Sequence, residues 1–236
     1  VRETGIDPAL HPGARWFVDA WYVVRDDQDI FNTMGWREAV PVWGAGLSPP
    51  RWVLQLPSAF TAGTVLDAWL AAAPLSEWTG RTLIDSAEGR ALVAVRARDE
   101  GSQYRYDYAV MNLDLTRPVT QGSEPDLVVE RNLGLDAFAV TGAGSASMSE
   151  AGFEDGDTDP GNDWIAATDA LGTTWTAPQP SAELAWGQLM GFSLTSAHPP
   201  GDGGLALRFA EAGSPATLTA AGLAPDAAKI FSSRFE

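Results

Sequence analysis

Apolar and polar side chains alternate along most of the chain. In the clearest run, residues 103–110, the apolar positions are Tyr104, Tyr106, Tyr108 and Val110. A period of two places successive side chains on opposite faces of a strand, so this run predicts a strand with one buried face. The same alternation recurs at residues 52–56, 91–97, 184–194 and 205–209, where it predicts that Trp52 and Trp186 are core residues. Residues 16–24 are apolar on both faces except at Asp19, which predicts a central strand covered on both sides.

Turn-forming segments separate these runs. Residues 85–89 join two of the predicted strands as a hairpin, and the Pro/Gly-rich residues 199–204 join two others. The spacing indicates about twelve strands, which is typical of an all-β antiparallel β-sandwich with one or two sub-domains and very little helix. One helix is predicted at residues 64–72, where apolar residues follow a helical period before Pro74.

The weakest pattern is the small-residue stretch 142–147. It divides a β-sandwich region, residues 1–141, from an acidic β region, residues 142–236, that packs on the first or continues it. We place the candidate boundary between these regions at 142–150.

The chain is strongly acidic, with a formal net charge of −16. Residues 1–118 carry 11 basic and 15 acidic side chains, whereas residues 119–236 carry 4 and 16. This charge disfavours nucleic acid and anionic lipid surfaces as partners, and no apolar stretch is long enough to span a bilayer. The sequence contains no cysteine, which excludes disulfides, thiol catalysis and Cys-ligated metals.

The most distinctive chemical motif is the acidic string at residues 154–163. Asp155, Asp157, Asp159 and Asp163 occupy alternating positions that resemble a calcium-binding loop. Pro160 stands where an EF-hand has glycine, and Ala166 stands where it has a bidentate glutamate, so the pattern is not an EF-hand. Two interpretations remain open: a looser calcium loop, or a solvated acidic turn before Trp164.

Ten tryptophans offer either a hydrophobic core or a platform on which sugar rings stack. Trp43, flanked by Gly44 and Gly46, and Trp78, between Glu77 and Thr79, are the candidates for exposed glycan or partner contact. The sequence has no nucleophile elbow and no zinc-protease helix, and its two histidines both precede prolines. No catalytic residue is predicted, although a pair of carboxylates of the glycosidase type stays open.

Several motifs, taken in order, resemble a group of uncharacterised secreted β-rich bacterial proteins with no known activity. The motifs are Asp7–Leu10 with Pro12–Val18, Tyr22-Val23 with Asp26-Asp27, Trp36–Glu38, Tyr106–Leu113 with Arg117, Asn162–Trp164, and Leu184–Leu189 with Phe192. The resemblance implies an extracytoplasmic location. It also implies that this chain corresponds to the C-terminal portion of longer relatives, whose cysteine-bearing N-terminal portion is then a candidate partner.

Together these features predict a non-catalytic, extracytoplasmic structural or protein-interaction module in a larger assembly, with calcium as its candidate cofactor. The alternative is a glycan-binding module or a carboxylate-based glycoside hydrolase.

Overall fold

The chain folds into two compact units of antiparallel strands. The computed structural model describes residues 3–22, 29–142 and 147–229. Strands dominate its secondary structure, which confirms the predicted all-β class. Contacts divide the chain into Val1–Ala72 and Ala73–Glu236. The candidate boundary at 142–150 thus falls inside the second unit, and residues 143–146 of it lie outside the described residues.

The first unit is a small sheet with two short helices. Its elements are α1 (Glu3–Ile6), β1 (Trp16–Ala20), a 3₁₀ turn (Ile30–Asn32), β2 (Gly35–Gly44), β3 (Arg51–Gln55), β4 (Thr61–Ala62) and α2 (Val65–Ala71). The strand order is β1-β2-β3, and β4 pairs with the start of β2.

Helix α2 confirms the helix predicted at residues 64–72. The Thr64 hydroxyl accepts a hydrogen bond from the Asp67 amide at 3.2 Å, and the Asp67 carboxylate accepts one from the Thr64 amide at 3.0 Å. This reciprocal capping box satisfies two amide donors that the first turn leaves unpaired. The sequence thus contains a capping box in addition to the apolar period from which the helix was predicted.

Strand β1 differs from the prediction of a central strand covered on both sides. It ends at Ala20 and, among the described residues, pairs only with β2, so it lies at the edge of the sheet. Val18 on this strand is 37 % exposed. The prediction was wrong because an apolar run does not show whether neighbouring elements cover both faces of a strand. On β1, one of the apolar side chains is exposed. Residues 23 and 24 of that run lie outside the described residues.

The second unit is a sandwich of two five-stranded sheets. Its strands are β5 (Trp78–Ser86), β6 (Gly89–Asp99), β7 (Tyr104–Asn112), β8 (Arg117–Gln121), β9 (Val128–Leu133), β10 (Leu135–Thr141), β11 (Met148–Glu154), β12 (Ile165–Thr168), β13 (Gly172–Thr176), β14 (Leu189–Ser196), β15 (Pro200–Phe209) and β16 (Thr217–Pro225). A 3₁₀ turn spans Pro180–Ala182. One sheet has the order β12-β13-β10-β15-β16 and the other β11-β14-β7-β6-β5, while β8 and β9 form a separate ribbon.

Aromatic side chains from both sheets meet in the sandwich core. Tyr108 of one sheet packs edge-on against Phe138 of the other, with ring centroids 5.7 Å apart. Phe138 also lies 4.9 Å from Phe192 and stacks on Trp175 at 5.7 Å. Tyr106 is fully buried, and its hydroxyl donates to the His198 carbonyl at 2.8 Å. The predicted inward face of the tyrosine strand is therefore confirmed.

Two buried polar side chains fasten loops to this core. Asn112, fully buried at the end of β7, donates to the carbonyls of Leu115 and Leu184, both at 2.9 Å, and accepts from the Leu115 amide at 2.9 Å. Arg117 makes two bonds of 2.6 Å to Glu88 and lies over the Phe209 ring at 3.7 Å. Buried donors and acceptors require such partners because they have lost water.

Candidate functional site

The β2–β3 hairpin, residues 35–55, exposes apolar side chains on both of its faces. Val40, Val42 and Val53 are 45 %, 37 % and 38 % exposed. Trp43 and Leu54 are 45 % and 40 % exposed. Val42 pairs with Val53, and Pro41 pairs with Leu54, so alternate pairs point to opposite faces. Contiguous exposed apolar surface on a folded protein marks an interaction site more often than scattered single residues do.

The hairpin also differs from the rest of the chain in charge. Residues 39–66 contain no aspartate or glutamate, and Arg51 is their only charged side chain. The complete chain carries 31 acidic residues. Its solubilising carboxylates are thus absent from the segment with the most exposed apolar side chains.

The tryptophans divide between core and surface. Of those in the described residues, Trp43 and Trp186 are exposed, and Trp43 packs edge-on against half-buried Trp52 at 5.5 Å. Trp78, predicted as a surface contact, is half-buried and packs against the sandwich core beside Tyr104 at 5.9 Å.

Trp186 lies in a turn and not in a core strand. The Gln188 amide donates to the Ala185 carbonyl at 3.1 Å, and Gly187 has a φ of +76° that favours glycine. This turn interrupts the alternation before β14 begins at Leu189, so Trp186 is 56 % exposed. The core assignment of Trp186 was therefore wrong, and Gly187 was the sequence signal for the turn.

The acidic string forms a ladder of side chain to backbone hydrogen bonds. The carboxylate of Asp155 accepts from the Asp157 amide at 3.0 Å, that of Asp157 from the Asp159 amide at 2.5 Å, and that of Asp159 from the Gly161 amide at 3.0 Å. The Asn162 side-chain amide donates to Asp155 at 2.8 Å and to Asp157 at 3.3 Å. Alternating aspartates are therefore explained by consecutive Asx turns.

The four predicted metal ligands do not all face one space. Asp155 and Asp157 line a pocket of about 260 Å³, and neither Asp159 nor the exposed Asp163 is among the residues that line it. Within residues 3–22, 29–142 and 147–229, no group of three or more His, Asp or Glu side chains is arranged to hold a metal ion. Calcium binding stays a prediction.

Two residues that line the pocket have a buried oxygen without a hydrogen-bond donor. Its other polar lining residues are Asn162, Ser181, Glu183 and Gln188. One oxygen of Asn162 and one of Glu183 are buried without a hydrogen-bond partner. Burial raises the pKa of Glu183, and a hydrogen bond from the Gly134 amide lowers it in part.

The sequence did not single out Asn162 or Glu183 as site residues. Asn162 lies in the loop before β12, and Glu183 lies in the loop before β14. The two side chains are close only because these loops meet in the fold. The sequence pattern indicated Trp43 as an exposed contact but did not identify the exposed apolar residues that pair around it in the hairpin.

Comparison with known proteins identifies no relative. The chain matches no protein-family model, no curated protein sequence and no solved structure. The resemblance to secreted β-rich bacterial proteins thus stays a prediction. Neither helix in the described part of the chain is long and apolar enough to cross a membrane.

Proposed function

We propose that this protein is a non-catalytic, extracytoplasmic interaction module that binds another protein chain through its β2–β3 hairpin. The observation that carries the proposal is the exposure of apolar side chains on both hairpin faces. Burying a valine, leucine or tryptophan that is half in water contributes about 1 kcal/mol or more, so five such residues contribute roughly 5 kcal/mol toward the cost of association.

The placement outside the cytoplasm rests on the motif resemblance and on the acidic charge. A net charge of −16 keeps a secreted protein soluble and opposes contact with other acidic surfaces. The partner is therefore expected to be neutral or basic overall.

Photocrosslinking in the producing cells tests the proposal. A benzoylphenylalanine residue replaces Val53 on the hairpin or, as the matched control, exposed Ala212 in a loop of the second unit. We expect a discrete crosslinked product from position 53 only. Excess unlabelled wild-type protein should compete for this product, whereas the variant Trp43→Ser/Leu54→Ser should not. Equal crosslinking from both positions, or equal competition by both proteins, would contradict the proposal.

A second candidate function is glycan binding at the pocket lined by Asp155, Asn162 and Glu183. The specific observation is the pair of buried oxygens without donors, because sugar hydroxyls donate hydrogen bonds. Trp186, exposed in the turn that precedes pocket residue Gln188, offers a surface on which a sugar ring can stack.

Isothermal titration calorimetry with a panel of neutral oligosaccharides tests this candidate. Binding should be lost in Trp186→Ala and kept in Trp43→Ala, whose indole lies on the hairpin. A reducing-sugar assay on the same panel tests the hydrolase version, which requires turnover that Glu183→Gln removes. A panel that produces no heat and no product would exclude both versions for these glycans.

A further inference from the structure

At the outer edge of β3, no strand in the described part of the chain pairs with the backbone. Strand β3 pairs with β2 and, among residues 3–22, 29–142 and 147–229, with no other strand. Its register against β2 has no bulge. A strand edge with free amides and carbonyls is a template for another strand, and natural proteins commonly block it with charges, prolines or bulges.

The pairing register shows which groups are free. Pro41 has no N–H, so we assign the Pro41–Leu54 pair to the type that exchanges no hydrogen bonds. In an antiparallel ladder the two pair types alternate. The Val42–Val53 pair then exchanges hydrogen bonds, and the Trp43–Trp52 pair does not. The amides and carbonyls of Trp52 and Leu54 therefore point away from β2.

Within β3, no proline and no bulge blocks this edge. Arg51 is the only charged residue of β3, at its first position, and the prolines at 49 and 50 precede the strand. By contrast, the exposed ribbon strand β8 contains Pro118, and the β8–β9 register shifts beside Val119. The ribbon thus has devices that the hairpin lacks.

We infer that β3 binds its partner by strand addition, in which an apolar strand of a basic protein extends the β1-β2-β3 sheet. This inference rests on the proposed function and names the partner's chemistry. Side chains on both faces of the added strand would contact Val53 on one side and Trp52 and Leu54 on the other. A second copy of the chain is a poor occupant because both copies carry −16, whereas a basic protein is attracted by that charge.

A designed peptide provides the probe, with the sequence Thr-Val-Thr-Val-Thr-Val-Gly-Lys-Lys-Lys and blocked ends. Fluorescence anisotropy measures its binding to the full chain at low salt. Two control peptides carry either methyl groups on alternate strand amides or three glutamates in place of the lysines. We expect both controls to bind at least tenfold more weakly, because the first loses backbone hydrogen bonds and the second is repelled.

Matched variants separate backbone pairing from side-chain contact. Leu54→Pro removes the outward amide and leaves the β2 ladder intact, whereas Leu54→Ala keeps the amide and shortens the side chain. Strand addition predicts a roughly tenfold greater loss of peptide affinity for Leu54→Pro than for Leu54→Ala. Equal losses, or a methylated peptide that binds as well as its parent, would overturn strand addition while leaving the hairpin as a protein-binding surface.

Amide hydrogen exchange on the wild-type protein provides a test without a variant. Peptide binding should slow exchange at Trp52 and Leu54, and change Val53 little because its amide already pairs with β2. Unchanged exchange at Trp52 and Leu54 in the bound state would overturn the inference. Dimerisation of the free protein through position 53 would overturn the choice of a basic partner over a second copy. A blank photocrosslinking experiment would instead count against the proposed function itself.

Discussion

Replacing Asn112 with alanine should destabilise the sandwich severely. Asn112 is fully buried and serves as the partner of both backbone groups of Leu115, which is itself fully buried. It also donates to the Leu184 carbonyl, which keeps a second donor in the Leu135 amide at 3.1 Å. The substitution therefore leaves two buried groups unpaired, the Leu115 amide and the Leu115 carbonyl.

Each unpaired buried group costs about 1–3 kcal/mol, so the loss lies at roughly 2–6 kcal/mol. Water that enters the space left by the side chain recovers part of this cost. We expect the free energy of unfolding to fall by about 3 kcal/mol, a large share of the roughly 5–15 kcal/mol that holds a typical domain folded.

Urea unfolding followed by tryptophan fluorescence measures this loss. Asn132→Ala is the matched control because Asn132 is exposed on β9, and its change should stay within about 0.5 kcal/mol. If the free energy of unfolding of Asn112→Ala lies within 1 kcal/mol of the wild-type value, the three hydrogen bonds do not contribute the stability assigned to them, and the reasoning is refuted.

Three further perturbations address the ion pair, the pocket and the acidic loop. Arg117→Lys should lower the free energy of unfolding by about 2 kcal/mol in urea melts. Lysine cannot reproduce the two-pronged contact with Glu88 together with the bonds that the guanidinium donates to the carbonyls of Glu211 and Pro215. The Arg117 guanidinium holds the pKa of Glu88 below its ordinary value of 4.5, so the ion-pair share of this stabilisation should be complete above that value and fade as the pH falls through the lowered pKa. The contacts with the two carbonyls do not titrate, so the difference should shrink at pH 2 without vanishing; a difference of the same size at pH 7 and pH 2 would contradict the ion-pair assignment. Glu183→Gln should raise the melting temperature at pH 7 but not near pH 3. Burial raises the pKa of Glu183, so its charged form lowers the stability of the folded state as the pH rises. Equal increases in melting temperature at both pH values would indicate a cause other than charge. If the loop binds calcium, chelator should lower the melting temperature of the wild type but not of Asp157→Asn, and a wild-type curve that ignores both chelator and calcium would end that hypothesis.

The sequence predicted most of the sandwich because each core strand has one apolar face. Tyr106 and Tyr108 alternate with charged residues, and both point into the core as expected. The helix at 64–72 was predicted from its apolar period, and the capping box of Thr64 and Asp67 that starts it is also a local feature because it depends only on residues three apart. Such signals are local, so a single sequence contains them in full.

Pairing between distant segments could not be predicted in this way. The pocket brings Glu183 beside Asn162, and nothing in the spacing of these residues encodes that proximity. The exposed position of Val18 depends on which strands pair with β1, since the same apolar residue suits either a core or a contact surface. Periodicity shows which face of a strand is apolar but not what covers it.

Three residues of the motifs that suggested a family resemblance have structural roles. Asn112 and Arg117 fasten loops, and Trp164 is buried with its indole donating to the Ala182 carbonyl at 2.6 Å. Residues 23, 26 and 27 of the motif set lie outside the described residues. A set of motifs that maintains a fold can recur among proteins whose binding partners differ.

The Asx ladder at Asp155, Asp157 and Asp159 separates the shape of this loop from its charge. Each step needs only a side-chain oxygen, which asparagine supplies as well as aspartate. Asparagine at Asp159 can therefore remove a negative charge and keep the backbone hydrogen bond, whereas at Asp155 and Asp157 it also removes the second oxygen that accepts from Asn162. Substitution in this loop can therefore change the local electrostatic potential while the hydrogen bonds that fix the backbone are kept.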